Sequence, residues 1–466
     1  MESPKMYCFA KIVITLIFSS IALLKTIVSL VQSMCNSIIS VTMKLSYLRM
    51  VCLLFFGLAS GSNLNSQSIG LIDVLAAEHV ITVGGPHADI PGYSSGAIQL
   101  ALDALRARGG GTVKLNPGIY IMIAPVRISS NTTLMGSGKE TILQKSEGFR
   151  TGFTIDADWG MLKAVVKDVA GFKTSMGIQL FDDTHNQGWA VTTARITDIQ
   201  ENTIYFDNPT VNDYIASLNG TVSNGCSIVE VVGVENVKIS NLVIEGNKNT
   251  NDYINGCRGG GVYIHKSKNC LVENVQVNAF NGDSFSWQIT ENISFTGCEA
   301  SNGNGLGFHP GTGSDGSLVE NCISHHNQGD GIFLCWRVQH GIFRNNTVYA
   351  NGDNGFSIGH KDTDNLFENN HVYENSSHGI FFREETEQNS GHRNTFSGNT
   401  IENNGTTRES CGFYIGGETH DIVINNNIIR STGKGDQKTA ILIGAKSSKI
   451  SAENNMISGS RELEQE

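Results

Sequence analysis

Written in rows of 24, residues 271–385 fall into columns of a single residue type. Leu271, Phe295, Val319, Phe343 and Phe367 make one wholly apolar column. Three residues on, Asn274, Cys298, Cys322, Asn346 and Asn370 make a second. Gly307, Gly331, Gly355 and Gly379 make a third. A fixed period of this length marks stacked coils, each too small to bury its apolar face without its neighbours. The apolar column is expected to point inward. The amide column is expected to satisfy itself along the stack, and the glycines to turn a corner where no Cβ is tolerated. Cys298 and Cys322 are read as small thiols filling amide positions.

Each row holds two short β-patterned runs, such as 343–349 and 355–360, separated by Asn and Gly turns with no helical period between them. Neighbouring coils then pair in parallel about 4.8 Å apart, and the usual hand of parallel connections makes the solenoid right-handed. The fold class is all-β, a right-handed single-stranded parallel β-helix. Composition agrees: 52 Gly against 7 Pro, with 17% charged residues, suits many short strands and tight turns. The net charge of −11 argues against a nucleic-acid partner held by bulk electrostatics, so an anionic ligand needs a local basic patch.

Before the coils, residues 1–67 read as a targeting region. A secretory signal layout starts at Met43, with Lys44 and Arg49 ahead of the apolar run 51–59. Secretion or a periplasmic location follows, with no membrane contact after cleavage. Residues 68–155 are expected to hold an N-terminal capping helix and the first coils, since a bare end coil would expose core and an open sheet edge. Residues 156–224 break the Asn/Gly pattern and read as an inserted β subdomain. The main helix then spans 225–460. Seven cysteines remain after the targeting region, an odd number without close CxxC pairs, so neither a full disulfide framework nor a structural metal is expected.

The opening "AIQLALDAL…GGGTVKLNPGIY" and the coils "FRNNTVYANGDNGFSIG" resemble the pectate-lyase-like right-handed β-helix superfamily, roughly over residues 75–145 and 227–457. That superfamily includes pectate and alginate lyases, polygalacturonases, mannuronan C5-epimerases and phage tailspikes. The resemblance implies saccharide chemistry without choosing the reaction. At the turn where such epimerases carry Asp-Pro-His, this chain has Phe308-His309-Pro310-Gly311. The paired aspartates of the polygalacturonases are not evident either.

Strand alternation places His309, Phe333, Ser357 and Phe381 in one outward column and Trp287, Gly311, Cys335, Gly359 and Arg383 in the next. Arg337, Lys361 and Glu385 lie beyond. His360, Glu384 and Trp336 share the strand end. Rings stack on sugar faces, glycines admit a sugar to the backbone, and cations meet carboxylate or sulfate. An anionic poly- or oligosaccharide is therefore the expected partner. Arg337, Lys361 and Arg383 are the expected carboxylate or sulfate partners, His309 or His360 the base, and Trp287, Phe333 and Trp336 the sugar platforms. No cofactor is required, although calcium could replace a cation. Cations beside a histidine fit uronate β-elimination by a polysaccharide lyase or an oligosaccharide dehydratase. C5-epimerisation, hydrolysis through Glu384 and binding without catalysis stay open.

Overall fold

Coils of this chain turn where single residues hold left-handed backbone. In the computed structural model, which describes residues 79–465, one coil has positive φ at His340 (52°), Asn345 (57°) and Ala350 (51°). Between and after them run the strands Ile342–Arg344, Thr347–Tyr349 and Phe356–Ile358. Each coil thus carries three strands, because Asn345 bends what reads in the sequence as one continuous run. Asn tolerates this conformation better than other side chains with a Cβ, since its short amide bonds locally. In the next coil Asp364, Asn369 and Glu374 repeat the pattern.

Every strand pairs in parallel with its counterpart one coil on, as in Phe343↔Phe367, Val348↔Val372 and Phe356↔Ile380. One face is an 11-stranded sheet running from Val126–Arg127 to Arg461–Gln465, and the other two faces form a 21-stranded array. The result is a right-handed parallel β-helix. Inside it Phe343 stacks on Phe367 at 5.0 Å, and Phe367 on Phe396 at 4.5 Å. Beside the rings runs an amide ladder. Asn346 donates to Asn370 Oδ1 at 2.9 Å, and Asn370 donates to Asn399 Oδ1 at 2.9 Å and to the Phe343 carbonyl at 2.8 Å. Cys298 and Cys322 fill equivalent buried positions as free thiols.

Two features of the columns differ from their sequence reading. First, Phe295 pairs with Val272, and Phe308 with Phe285, at 23 positions, whereas Phe308↔Ile332 and Ile332↔Phe356 are 24 apart. Leu271 and Asn274 therefore fall off the inward columns, and Asn274 instead holds a left-handed turn at φ 52°. A slip of one residue moves a side chain to the opposite face. Second, the glycines at 307, 331, 355 and 379 answer a demand for space, and none has positive φ. A Cβ on Gly355 would lie 2.3 Å from Val372 Cγ1 and 2.6 Å from the Gly379 carbonyl oxygen.

Ahead of the coils, the helix α1 (Ser95–Arg106) begins at Ser94, whose Oγ accepts from the Ala97 N–H at 3.2 Å. Its buried stripe Ile98, Ala101, Leu102 and Leu105 joins the main core with Val83, Val113 and Leu115. Between Lys145 and Val229 the chain leaves the coils to build a six-stranded antiparallel array, from Arg150–Gly152 to Thr221–Ser223. This array has a core of its own around Phe153, Ile178, Leu180 and Tyr214. The targeting region with its Met43 start lies outside the described residues. Among those described, no helix is long and apolar enough to cross a membrane.

Candidate functional site

Strand pairing settles which side chains leave the 11-stranded face. Tyr263, Ser286, His309 and Phe333 share one outward column, continued by Ser357, Phe381 and Tyr414. Two residues along, Gln288, Cys335 and Arg383 point the same way with Gly311 and Gly359 between them. Trp287 is not among them. It pairs with Pro310 rather than Gly311, is fully buried, packs 4.4 Å from Phe295, and donates its indole N–H to Ser317 Oγ at 2.9 Å. The same 23-residue coil that displaced Leu271 explains this correction. Gln288 takes the outward place.

His309 lies on the outward column but is only 4% exposed. Its Nδ1 bonds the Asp283 carboxylate at 2.7 Å, and Asp283 Oδ1 also accepts the Leu306 N–H at 2.8 Å. The loop at Gly256 covers the pair so closely that a Cβ there would fall 1.9 Å from Asp283 Oδ2 and 2.3 Å from His309 Nδ1. Burial opposes charge on the ring. The bonds to Asp283 and then to the Cys335 thiol overcome it and raise the His309 pKa to about 10. At neutral pH this ring carries its proton, which suits it to supply positive charge rather than to accept a proton. Asp283 gives no sign in the sequence, because it precedes the glycine column in a coil one residue shorter than the 24-residue rows.

The strand end carries the exposed part of the face. Trp336 is 42% exposed and stacks on the His360 ring at 5.1 Å, with the Arg337 guanidinium 5.8 Å from the indole. Arg337 (φ 57°) and Lys361 (φ 68°) occupy turn positions one coil apart. Neither takes part in an ion pair among the described residues. His360 Nε2 meets Glu385 Oε1 at 2.7 Å, while burial, and after it the charge of Arg383, pulls its pKa below the usual value. Its Nδ1 is buried without a partner.

Arg383 and Glu384 are committed to the protein itself. Arg383 is 14% exposed; it reaches Ser357 Oγ at 2.9 Å, the Leu334 carbonyl at 2.7 Å and the fully buried Asp362 at 3.1 Å. A buried carboxylate needs such a partner, so this guanidinium is a counterion within the stack. It also covers Phe333 at 4.6 Å, while the edge of His309 meets that ring at 5.6 Å, which leaves Phe333 a packing surface more than a sugar platform. Glu384 accepts from the Tyr414 hydroxyl and from the Gly417 N–H at 2.9 Å. Both its oxygens hold the following turn, against the expectation of a hydrolytic carboxylate. One coil from His309, Asp330 is buried and its pKa is pushed up to about 7, chiefly by desolvation. Among the described residues no group of three or more His, Cys, Asp or Glu side chains could hold a metal ion.

The profile of the family described as "Right handed beta helix region" matches residues 227–396. No curated protein matches the sequence. Among solved structures, the A-module of mannuronan C-5 epimerase AlgE4 from Azotobacter vinelandii is similar over 80% of this chain and 93% of its own, at 16% identity and TM-score 0.52. The AlgE6 A-module of the same organism is similar over 80% and 91%, at 17% identity and TM-score 0.52. Likeness at such identity speaks for the architecture, and it agrees with the coil period, the three-strand coils and the profile match. The fold of this chain is the right-handed parallel β-helix, and its residues 227–396 match the family of that description.

Proposed function

We propose that the outer face around Trp336 binds an acidic polysaccharide or oligosaccharide and acts on its uronate units by C5 proton removal and expulsion of the C4 substituent. One observation carries this reading: an exposed indole stacked on His360 has Arg337 at 5.8 Å and Lys361 next to that histidine in the chain, neither cation in an ion pair among the described residues, on the face that also holds the buried Asp283–His309 pair. Stacking on the indole orients a pyranose ring, and cations one coil rise apart, about 4.8 Å, match consecutive sugar carboxylates. Neutralising the uronate carboxylate makes the C5 proton removable, and the electron pair left behind expels the oxygen at C4. If that oxygen belongs to another sugar the enzyme is a polysaccharide lyase. If it is a terminal hydroxyl, the enzyme is an oligosaccharide dehydratase. The signal layout at Met43 makes the setting extracellular or periplasmic.

C5-epimerisation is the second reading, supported by the likeness to the two A-modules. It shares the first step and differs in returning a proton to the opposite face of the sugar. A screen of alginate, pectate, ulvan-type and glycosaminoglycan substrates separates the readings. Ultraviolet absorbance of a 4,5-unsaturated uronate, with mass spectrometry, supports elimination. New reducing ends without absorbance mean hydrolysis, and a changed C5 configuration by NMR with unchanged mass means epimerisation. If none of these saccharides is bound or altered, the saccharide reading fails.

A further inference from the structure

Elimination needs a proton acceptor, and neither histidine is well placed to be one: His309 holds its proton, while His360 has one nitrogen on Glu385 and the other buried. Of the seven described cysteines, six are buried and Cys335 alone is partly exposed. Cys335 leaves the same face, with glycines, Gly311 and Gly359, at the matching positions of both adjoining coils. It immediately precedes Trp336. Its N–H bonds the Pro310 carbonyl at 2.9 Å, which sets it next to His309, and it helps to raise the pKa of that ring. Asp283 occupies Nδ1 of that ring, and Nε2 meets the Gln288 side-chain amide at 3.4 Å. Arg383 bonds the Leu334 carbonyl, one residue away, and brings a second cation close.

We propose that Cys335, set beside the His309–Asp283 pair on the outer face, is the group that removes the C5 proton. The inference rests on the elimination reading. An imidazolium fixed by a buried carboxylate favours the thiolate beside it, the ordering of carboxylate, ring and sulfur found wherever a thiol is activated by a positioned histidine. The sulfur takes the C5 hydrogen and becomes a thiol, and the electron pair moves onto the carboxylate held by Arg337 and Lys361. The C4–O bond then breaks as the C4=C5 double bond forms, and the departing oxygen takes the proton from the thiol. The thiolate is regenerated, and no oxidant, metal or second substrate enters. His309, Asp283 and Arg383 are positioning residues in this scheme.

Two measurements on the folded chain test it. The first needs no saccharide: iodoacetamide labelling of Cys335, followed by peptide mass from acid to alkaline pH. Labelling that persists on the acid side, and slows about tenfold or more in His309→Gln, supports the activated pair. Labelling that follows an ordinary thiol, unchanged in His309→Gln, overturns it whatever the substrate. The second uses whichever acidic saccharide is turned over. Cys335→Ser and Cys335→Ala should lose about 10²-fold or more in kcat with binding retained, and labelled wild-type protein should be equally inactive. Wild-type turnover by Cys335→Ala overturns the assignment and leaves the elimination reading standing. Rapid labelling in a chain that neither binds nor alters any acidic saccharide overturns the elimination reading, and the role of Cys335 falls with it.

Discussion

Replacing Asp283 with asparagine removes a charge from the buried pair while nearly preserving its shape. Burial alone would push His309 below its ordinary value of 6.5, yet its pKa stands at about 10, and Asp283 at 2.7 Å is the foremost of the partners that reverse the effect. A rise from 6.5 to about 10 corresponds to roughly 5 kcal/mol, at about 1.4 kcal/mol per pH unit. A histidine whose pKa is higher folded than unfolded contributes stability that is complete below pH 6.5. That stability drains away as pH rises and is gone above about 10. The amide introduced by the substitution can still accept the Leu306 N–H but cannot hold an imidazolium. In Asp283→Asn the ring should therefore titrate well below 10, with stability lost mainly at acid pH and much less at alkaline pH. NMR titration of the His309 ring and urea unfolding at the two ends of the range provide the assays. A ring still titrating near 10 in the variant, or an equal loss of stability at both extremes, would refute the electrostatic account.

Gly355→Ala should destabilise the stack by about 1–3 kcal/mol through overpacking, read from the urea midpoint. Adding Val372→Ala should restore part of this, since Val372 Cγ1 is the nearer obstacle and the Gly379 carbonyl remains. Arg383→Ala should cost about 3–5 kcal/mol in stability by stranding buried Asp362. Arg337→Ala should leave the unfolding midpoint in place and weaken saccharide binding by calorimetry. Asp330, with a pKa raised to about 7 by burial, loses stability for the folded state as pH climbs from 3.8 through 7. Asp330→Asn should therefore raise the unfolding temperature above neutral pH and lose that advantage in acid, where both side chains are uncharged.

The period of 24 made the solenoid legible because apolar, amide and glycine columns each carry a separate physical demand. The same regularity hid the 23-residue coil. Extending the rows back by one turned Trp287 outward and placed Leu271 in the core, when the pairing puts Trp287 and Val272 inside. His309, Arg337 and Lys361, unlike Trp336 at the strand end, could be placed on the face from alternation alone. What their charges do could not, because Asp283 and the Gly256 loop reach His309 from other coils. Arg383 and Glu384 looked like ligands for a carboxylate and a sugar for the same reason. Asp362, Ser357 and Tyr414, their real partners, are brought near by stacking rather than by sequence distance. The two β-runs per row concealed a third strand, since a left-handed Asn bends the chain without interrupting its apolar alternation.

Coil length varies along this stack, with 23 residues from Phe285 to Phe308, 24 from Ile332 to Phe356 and 29 from Phe367 to Phe396, and the turns absorb the difference while strand register holds. Excising residues 356–379 would join the chain at Ile380, the partner of Phe356, with every side chain still on its own side of the wall. Descendants of such a chain are free to gain or shed whole turns, and with each turn the outer strip lengthens or shortens by about one sugar residue. On the proposed function, reach along a polymer can thus drift between relatives while the chemistry stays anchored to a single pair of coils.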